Sequence, residues 1–253
     1  MHSTEEYEAL EQSQHELTVE EFALLLALLG AVTQEISTNV STFYNTYGTD
    51  GVVTYITSRK RISNRDKRRR VHKLFLDIDK IFETYRLKGK TQFKKSLKKM
   101  IKTETDFYKV DLDQDDLLQT KWGSDNLSWD TRFDNQLDQQ NFRIKNRLKV
   151  AFIKEAVVDA VYDVLEDEFE KFGKQLWSLY ETEANAITSE ARMKALKEHG
   201  FRKYRYYARA DERTCDTCGA MHGTKFPISS FQIGVTAPPM HPHCRCWITE
   251  LDD

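Results

Sequence analysis

All four cysteines of this 253-residue chain lie between positions 215 and 246. Cys215 and Cys218 stand in the run Cys-Asp-Thr-Cys, a two-residue spacer that lets one tight turn aim two thiolates at a single tetrahedral metal, with Gly219 behind it free to adopt a positive φ. Further on, the run from Pro238 to Cys246 carries His241, His243, Cys244 and Cys246 and supplies the second half of a two-part site. The donors outnumber the four positions of a tetrahedral ion. Cys215, Cys218, His241 and Cys244 are the preferred set. Cys246 is the rival to His241 or Cys244, because residues two apart on an extended segment point the same way, and His243 and His222 rank below it. The implied ion is Zn2+. Protein donors can fill every position, whereas a catalytic zinc keeps an open position for water beside a carboxylate base, so the zinc reads as structural. Free thiols and surface imidazoles are the plainer alternative, which the spacing disfavours.

An enzyme is the competing class: a zinc-containing nuclease or DNA-processing enzyme would draw on His241, His243, Asp211 and Glu183. Each has a simpler role. Asp211 is placed to cap the turn before the cysteine pair, Glu183 to pair with a base on a neighbouring helix, and His243 to lie exposed. A stand-alone zinc-dependent DNA-binding regulator is disfavoured by the few Lys and Arg around the cluster in sequence.

The elements that must position these groups are mainly helical. Thr18 and Glu21 have capping-box spacing ahead of Phe22, Leu25, Leu26, Leu29, Val32, Ile36, Val40 and Phe43 at helical intervals. Gly48 and Gly51 interrupt the pattern. Asn64 is placed to cap a second helix through Val71, Leu74, Phe75, Ile78, Ile81 and Tyr85, and a third begins near Thr91 with Phe93, Leu97, Met100 and Ile101 inward. Residues 111–130 lack periodicity and read as a linker or long loop. Helical spacing returns over 131–200, from Phe133 and Leu137 to Leu176 and Ile187, with Gly200 as C-terminal cap. Tyr204, Tyr206, Ala208 and Ala210 then alternate as a strand, and all four prolines fall between 227 and 242. The fold class is therefore mainly α, ending in a small zinc-stabilised α+β module over 201–253. So small a module can hardly sustain a core alone, so the metal would replace missing apolar burial, with Phe226, Phe231 and Trp247 around it.

Charge is segregated along the chain although the formal net charge is only -2. Residues 1–58 hold nine acids and no Lys or Arg; residues 59–102 hold 18 Lys and Arg against four acids. Such a stretch suits a polyanion such as double-stranded DNA, or an acidic surface of the same chain or a neighbour; a merely solvated face is the bland reading. The acidic start lacks the order of a signal peptide, and the apolar run 22–32 is too short to span a bilayer, which implies a soluble protein with no membrane partner. In such a chain structural disulfides are a poor explanation for the cysteines.

The C-terminal motif resembles the phage head morphogenesis family of Mu F-like minor head proteins. The shared features are Asp211, Cys215, Cys218, Gly223 and the run from Pro238 to Cys246. The resemblance reaches upstream through Trp122-Gly123, Thr182-Glu183 and Asn185-Ala186, over roughly residues 120–250. Glu181 departs from it, standing where the family commonly has arginine. The resemblance implies a non-enzymatic, low-copy structural protein of the phage head, found in the virion and in the host cytoplasm during assembly. Its implied partners are the portal protein, the major capsid protein, or both, with packaged DNA reached through residues 59–102.

Overall fold

The computed structural model describes residues 2–48, 64–209 and 211–251; Gly51, Ala210 and the Asn64 side chain, read above as breaker, strand end and cap, lie outside them. Four long helices dominate: α1 (Thr4–Tyr47), α2 (Asn64–Tyr108), α4 (Trp129–Ile153) and α5 (Val158–Glu198). Between α2 and α4 come the short α3 (Gln114–Leu117) and a hairpin of β1 (Lys121–Trp122) and β2 (Leu127–Ser128). After α5 follow β3 (Lys203–Tyr207), α6 (Asp216–Met221), β4 (Lys225–Pro227) and β5 (Trp247–Leu251), forming an antiparallel sheet in the order β4-β3-β5. The mainly α class with a small mixed C-terminal region is as the sequence implies. No helix among the described residues is long and apolar enough to cross a membrane.

Helix boundaries differ from the periodicity in three places. α1 starts at Thr4, where Ser3 and Glu6 form a reciprocal capping box: the Glu6 amide donates to Ser3 Oγ at 3.2 Å and the Ser3 amide to Glu6 Oε2 at 2.6 Å. Thr18 is thus inside the helix, its hydroxyl bonded to the Gln14 carbonyl at 2.7 Å, and Glu21 accepts from Ser96 at 2.9 Å and from Lys99. α2 does not restart at Thr91 but continues through Gly89, where a Cβ would meet Phe133 Cζ at 2.7 Å. The 131–200 span breaks at residues 154–157, where Glu155 takes φ 54 and the Ala156 amide reaches back to the Ala151 carbonyl at 3.0 Å. No glycine or proline marks that break. Gly200 does cap α5: at φ 79 it donates to the Lys197 carbonyl, and the Phe201 amide to that of Leu196, a Schellman motif.

The chain divides into two compact units. The first comprises Met1–Ala23, Gln92–Arg132 and Trp177–Asp253. Its core joins Tyr204, Trp247 and Ile248 of the sheet to Tyr7, Tyr108, Met193 and Leu196 of the helices. At its centre the Arg192 guanidinium bonds Glu104 at 2.5 and 3.1 Å, Glu11 at 2.7 Å and the Ile248 carbonyl at 3.1 Å. The residues 111–130 belong to this unit, with Leu117, Leu118 and Trp129 buried. The second unit, Leu24–Thr91 with Phe133–Leu176, buries Ile36, Ile78, Phe82, Phe152 and Phe172 on its helical segments. Ion pairs tie its α2 segment to α4, Arg86 and Lys90 meeting Asp134, and Lys145 meeting Asp79.

Candidate metal centre

Cys215 is the N-cap of α6, its Sγ accepting the Cys218 amide at 3.4 Å, so one helical turn sets both sulfurs on the same side. Gly219 lies inside α6 without a positive φ; Gly223, beyond the helix at φ 78, is the residue that needs glycine. The returning segment brings His241 Nε2 to 3.1 Å from Cys215 Sγ and 3.3 Å from Cys218 Sγ, and Cys244 Sγ to 3.8 Å from Cys218 Sγ. Two donor groups result, Cys215 with Cys218 and His241, and Cys218 with Cys244 and Cys246, each with its ligand atoms within 4.8 Å of one another. These groups could hold a metal ion. Zinc–sulfur bonds of about 2.3 Å in a tetrahedron separate neighbouring sulfurs by about 3.8 Å, which is the separation of Cys218 and Cys244.

The surroundings orient the donors. His241 Nδ1 faces the Pro242 carbonyl at 2.8 Å; donating there fixes the tautomer that leaves the Nε2 lone pair toward the thiols. The Tyr206 hydroxyl donates to Cys218 Sγ at 3.4 Å. From α5, Asn185 Nδ2 donates to the Cys244 carbonyl at 2.6 Å and that of Cys246 at 3.3 Å, and Thr182 Oγ1 accepts the His243 amide at 3.2 Å. Burial pushes the Cys218 thiol up to about 11, whereas the Cys246 hydrogen bond holds Cys244 down to about 5 and Cys246 is itself raised by it. Protons are thus unevenly shared among the sulfurs, and a cation would draw the set toward thiolate.

The remaining sequence candidates belong to neither donor group. His222 Nδ1 accepts the Ala208 amide at 3.2 Å and its ring meets Tyr207 edge-on. His243 is exposed and pairs with Glu181 at 2.6 Å, so the residue that departs from the family pattern has a partner of its own. Asp211 does cap the turn, accepting the Arg213 amide at 3.0 Å, and also clasps Arg245 through both oxygens at 2.6 Å; the Arg245 bonds hold its carboxyl down to about 2. Glu183 is buried against Arg132 at 2.7 Å and the Trp122 indole at 3.0 Å, with the Arg132 guanidinium 4.4 Å over the Trp122 ring. Phe226 packs against the cysteines with Tyr206, Met221 and Met240, but Phe231 and Trp247 belong to the neighbouring core, a correction to the packing read from sequence. The cluster is also less poor in cations than its sequence neighbourhood, because Arg209, Arg213 and Arg245 border the cleft over the donors. Tyr206, Asn185 and Arg132 were not legible as site residues, since their contacts span 12 to 61 positions.

No curated protein and no solved structure matches the chain. Residues 143–249, which run from within α4 into β5 and include the whole Cys/His cluster, match the family described as Phage Mu protein F like protein, so this part of the chain is similar to that family.

Proposed function

We propose that the protein is a structural, non-enzymatic component of a tailed-phage head, assembled at the portal or the capsid interior, and that its Cys/His cluster holds one structural zinc. The observation that carries the reading is the donor set of the centre within the segment that matches the Mu F-like family: five Cys and His donors converge in two groups, and among the described residues no carboxylate joins either. The two acids a hydrolytic reading would recruit are committed elsewhere, Asp211 to Arg245 and Glu183 to Arg132. Cys215, Cys218, His241 and Cys244 are the ligands in this reading; the Cys244 sulfur stands 3.8 Å from that of Cys218, which links the two donor groups, and Cys246 is its rival in the second group.

Heads purified from the phage that encodes this chain should contain it at a few copies each, released together with the portal when the heads are dissociated. Its absence from purified heads would overturn the assignment. Elemental analysis of the anaerobically purified chain should find one zinc per molecule; a folded, metal-free protein would remove the zinc while leaving the head assignment to the first test.

A further inference from the structure

The cations of residues 59–102 divide into two kinds along α2. From residue 86 onward most are neutralised by the chain itself. Arg86 meets Asp134 at 2.8 Å and Asp138 at 2.5 Å, Lys94 and Lys98 share Asp115 at 3.0 Å each, Lys99 pairs with Glu21, and Lys102 with Asp106 at 2.8 Å. At the other end of the helix, Arg65, Arg68, Arg69 and Lys73 are exposed and have no hydrogen-bond or ion-pair partner among the described residues. Arg70, on another face, lies over the Tyr47 ring at 4.4 Å. Two acids stand near: Asp66 has a partner of its own, and Asp77 is paired with Lys80 at 3.0 Å.

At about 100° per residue, Arg65, Arg68, Arg69, His72 and Lys73 fall within an arc of about 140°, opposite the buried Val71, Leu74 and Ile78. The free cations thus form one stripe on a helix anchored from behind. Residue choice changes with the division. Of the cations paired within the chain from residue 86 onward only Arg86 is an arginine, whereas three of the four in the stripe are arginine, whose planar fork matches phosphate oxygens bidentately.

Charge density is compatible with a phosphate backbone. Four cations over eight helical steps give one per about 3 Å of axis, close to the about 3.4 Å per phosphate of one DNA strand. The exposed glutamates of α1 that a second copy could offer, Glu5, Glu6, Glu8, Glu16, Glu20 and Glu35, are spread over thirty steps, one per about 7.5 Å. The exposed Asp159, Asp163 and Glu166 of α5, however, reach one per about 3.5 Å, so the arginine content of the stripe is what favours phosphate over carboxylates of a second copy. We propose that Arg65, Arg68, Arg69 and Lys73 form a sequence-independent contact with the phosphate backbone of double-stranded DNA, while the lysines from 94 to 102 serve the fold. The assignment rests on the head reading only for where such DNA would be met.

The full-length chain is titrated with a fluorescent 30-base-pair duplex of arbitrary sequence at several salt concentrations, as wild type, as a quadruple variant with Arg65→Gln, Arg68→Gln, Arg69→Gln and Lys73→Gln, and as a control with Lys94→Gln, Lys98→Gln and Lys102→Gln. The quadruple variant should bind at least about tenfold more weakly at 0.1 M salt, and its log–log salt slope should flatten by about 3.6, since each of the four lost phosphate contacts removes about 0.9. The control should change affinity less than about threefold after its folding is verified by circular dichroism. Equal weakening of both variants, or no duplex binding by wild type at 50 mM salt, overturns the assignment. Salt-dependent self-association without duplex binding, abolished by the quadruple variant, also overturns it and makes the stripe an interface between copies. These outcomes concern purified chain and duplex, so they are distinct from failure to find the protein in heads.

Discussion

Cys218 belongs to both donor groups, and its sulfur is the most constrained of the four, held between the Tyr206 hydroxyl, His241 and Cys244. Cys218→Ser should therefore abolish zinc retention, and Cys244→Ser should lower affinity far more than Cys246→Ser, which leaves the four proposed ligands intact. Zinc content after dialysis against a graded series of chelators reads this directly; a larger loss in Cys246→Ser than in Cys244→Ser would reassign the fourth position to Cys246, and equal losses would overturn the choice of Cys244 over Cys246. A second residue-scale consequence concerns Arg192, which is 3% exposed and bonded to two carboxylates. Arg192→Leu leaves Glu104 and Glu11 without their cation, and a broken buried pair costs about 3–5 kcal/mol. Breaking the exposed Lys171–Asp167 pair with Lys171→Ala should cost less than about 0.5 kcal/mol. Urea unfolding of both variants measures the contrast, and similar midpoints would show that the Arg192 network contributes no more than a surface pair.

At the scale of elements, glycines in two of the long helices offer a controlled comparison. Helical propensity alone favours Gly→Ala by about 1 kcal/mol at either Gly30 or Gly89. Gly30 has nothing within 4 Å of an added Cβ, so Gly30→Ala should stabilise by up to about that amount. Gly89 is buried against the Phe133 ring, and an added methyl would meet Cζ at 2.7 Å, so Gly89→Ala should destabilise by about 1–3 kcal/mol as overpacking outweighs propensity. Thermal melts of the two variants should move in opposite directions. A rise at Gly89 would mean that the ring yields freely and that the close approach does not hold α2 against α4.

At the scale of the whole molecule, the metal centre is not sealed off in a C-terminal appendage. The sheet that carries it shares a core with Tyr7, Tyr108, Met193 and Leu196, so the helices supply apolar burial that a module of about fifty residues would lack by itself. Chelation should accordingly raise hydrogen exchange over residues 201–251 and, to a lesser degree, over the helical segments 4–23 and 177–198 of the same unit, with segments 24–47 and 133–153 least affected. Uniform loss of protection across the chain would instead make folding two-state in the metal. The sequence alone determined the donor chemistry and the helical class, because a two-residue cysteine spacer and a 3.6-residue apolar period are local patterns that Cys215, Cys218, Val71, Leu74 and Ile78 display without reference to the rest of the chain. Only the tertiary structure decided where α2 runs on through Gly89, which carboxylates neutralise Lys94, Lys98 and Lys99, that Glu183 is spent on Arg132, and that Arg65, Arg68, Arg69 and Lys73 are left over. The reason is physical: ion pairing and close packing depend on which side chains meet across the fold, and partners such as Lys99 and Glu21, 78 positions apart, leave no mark in local spacing.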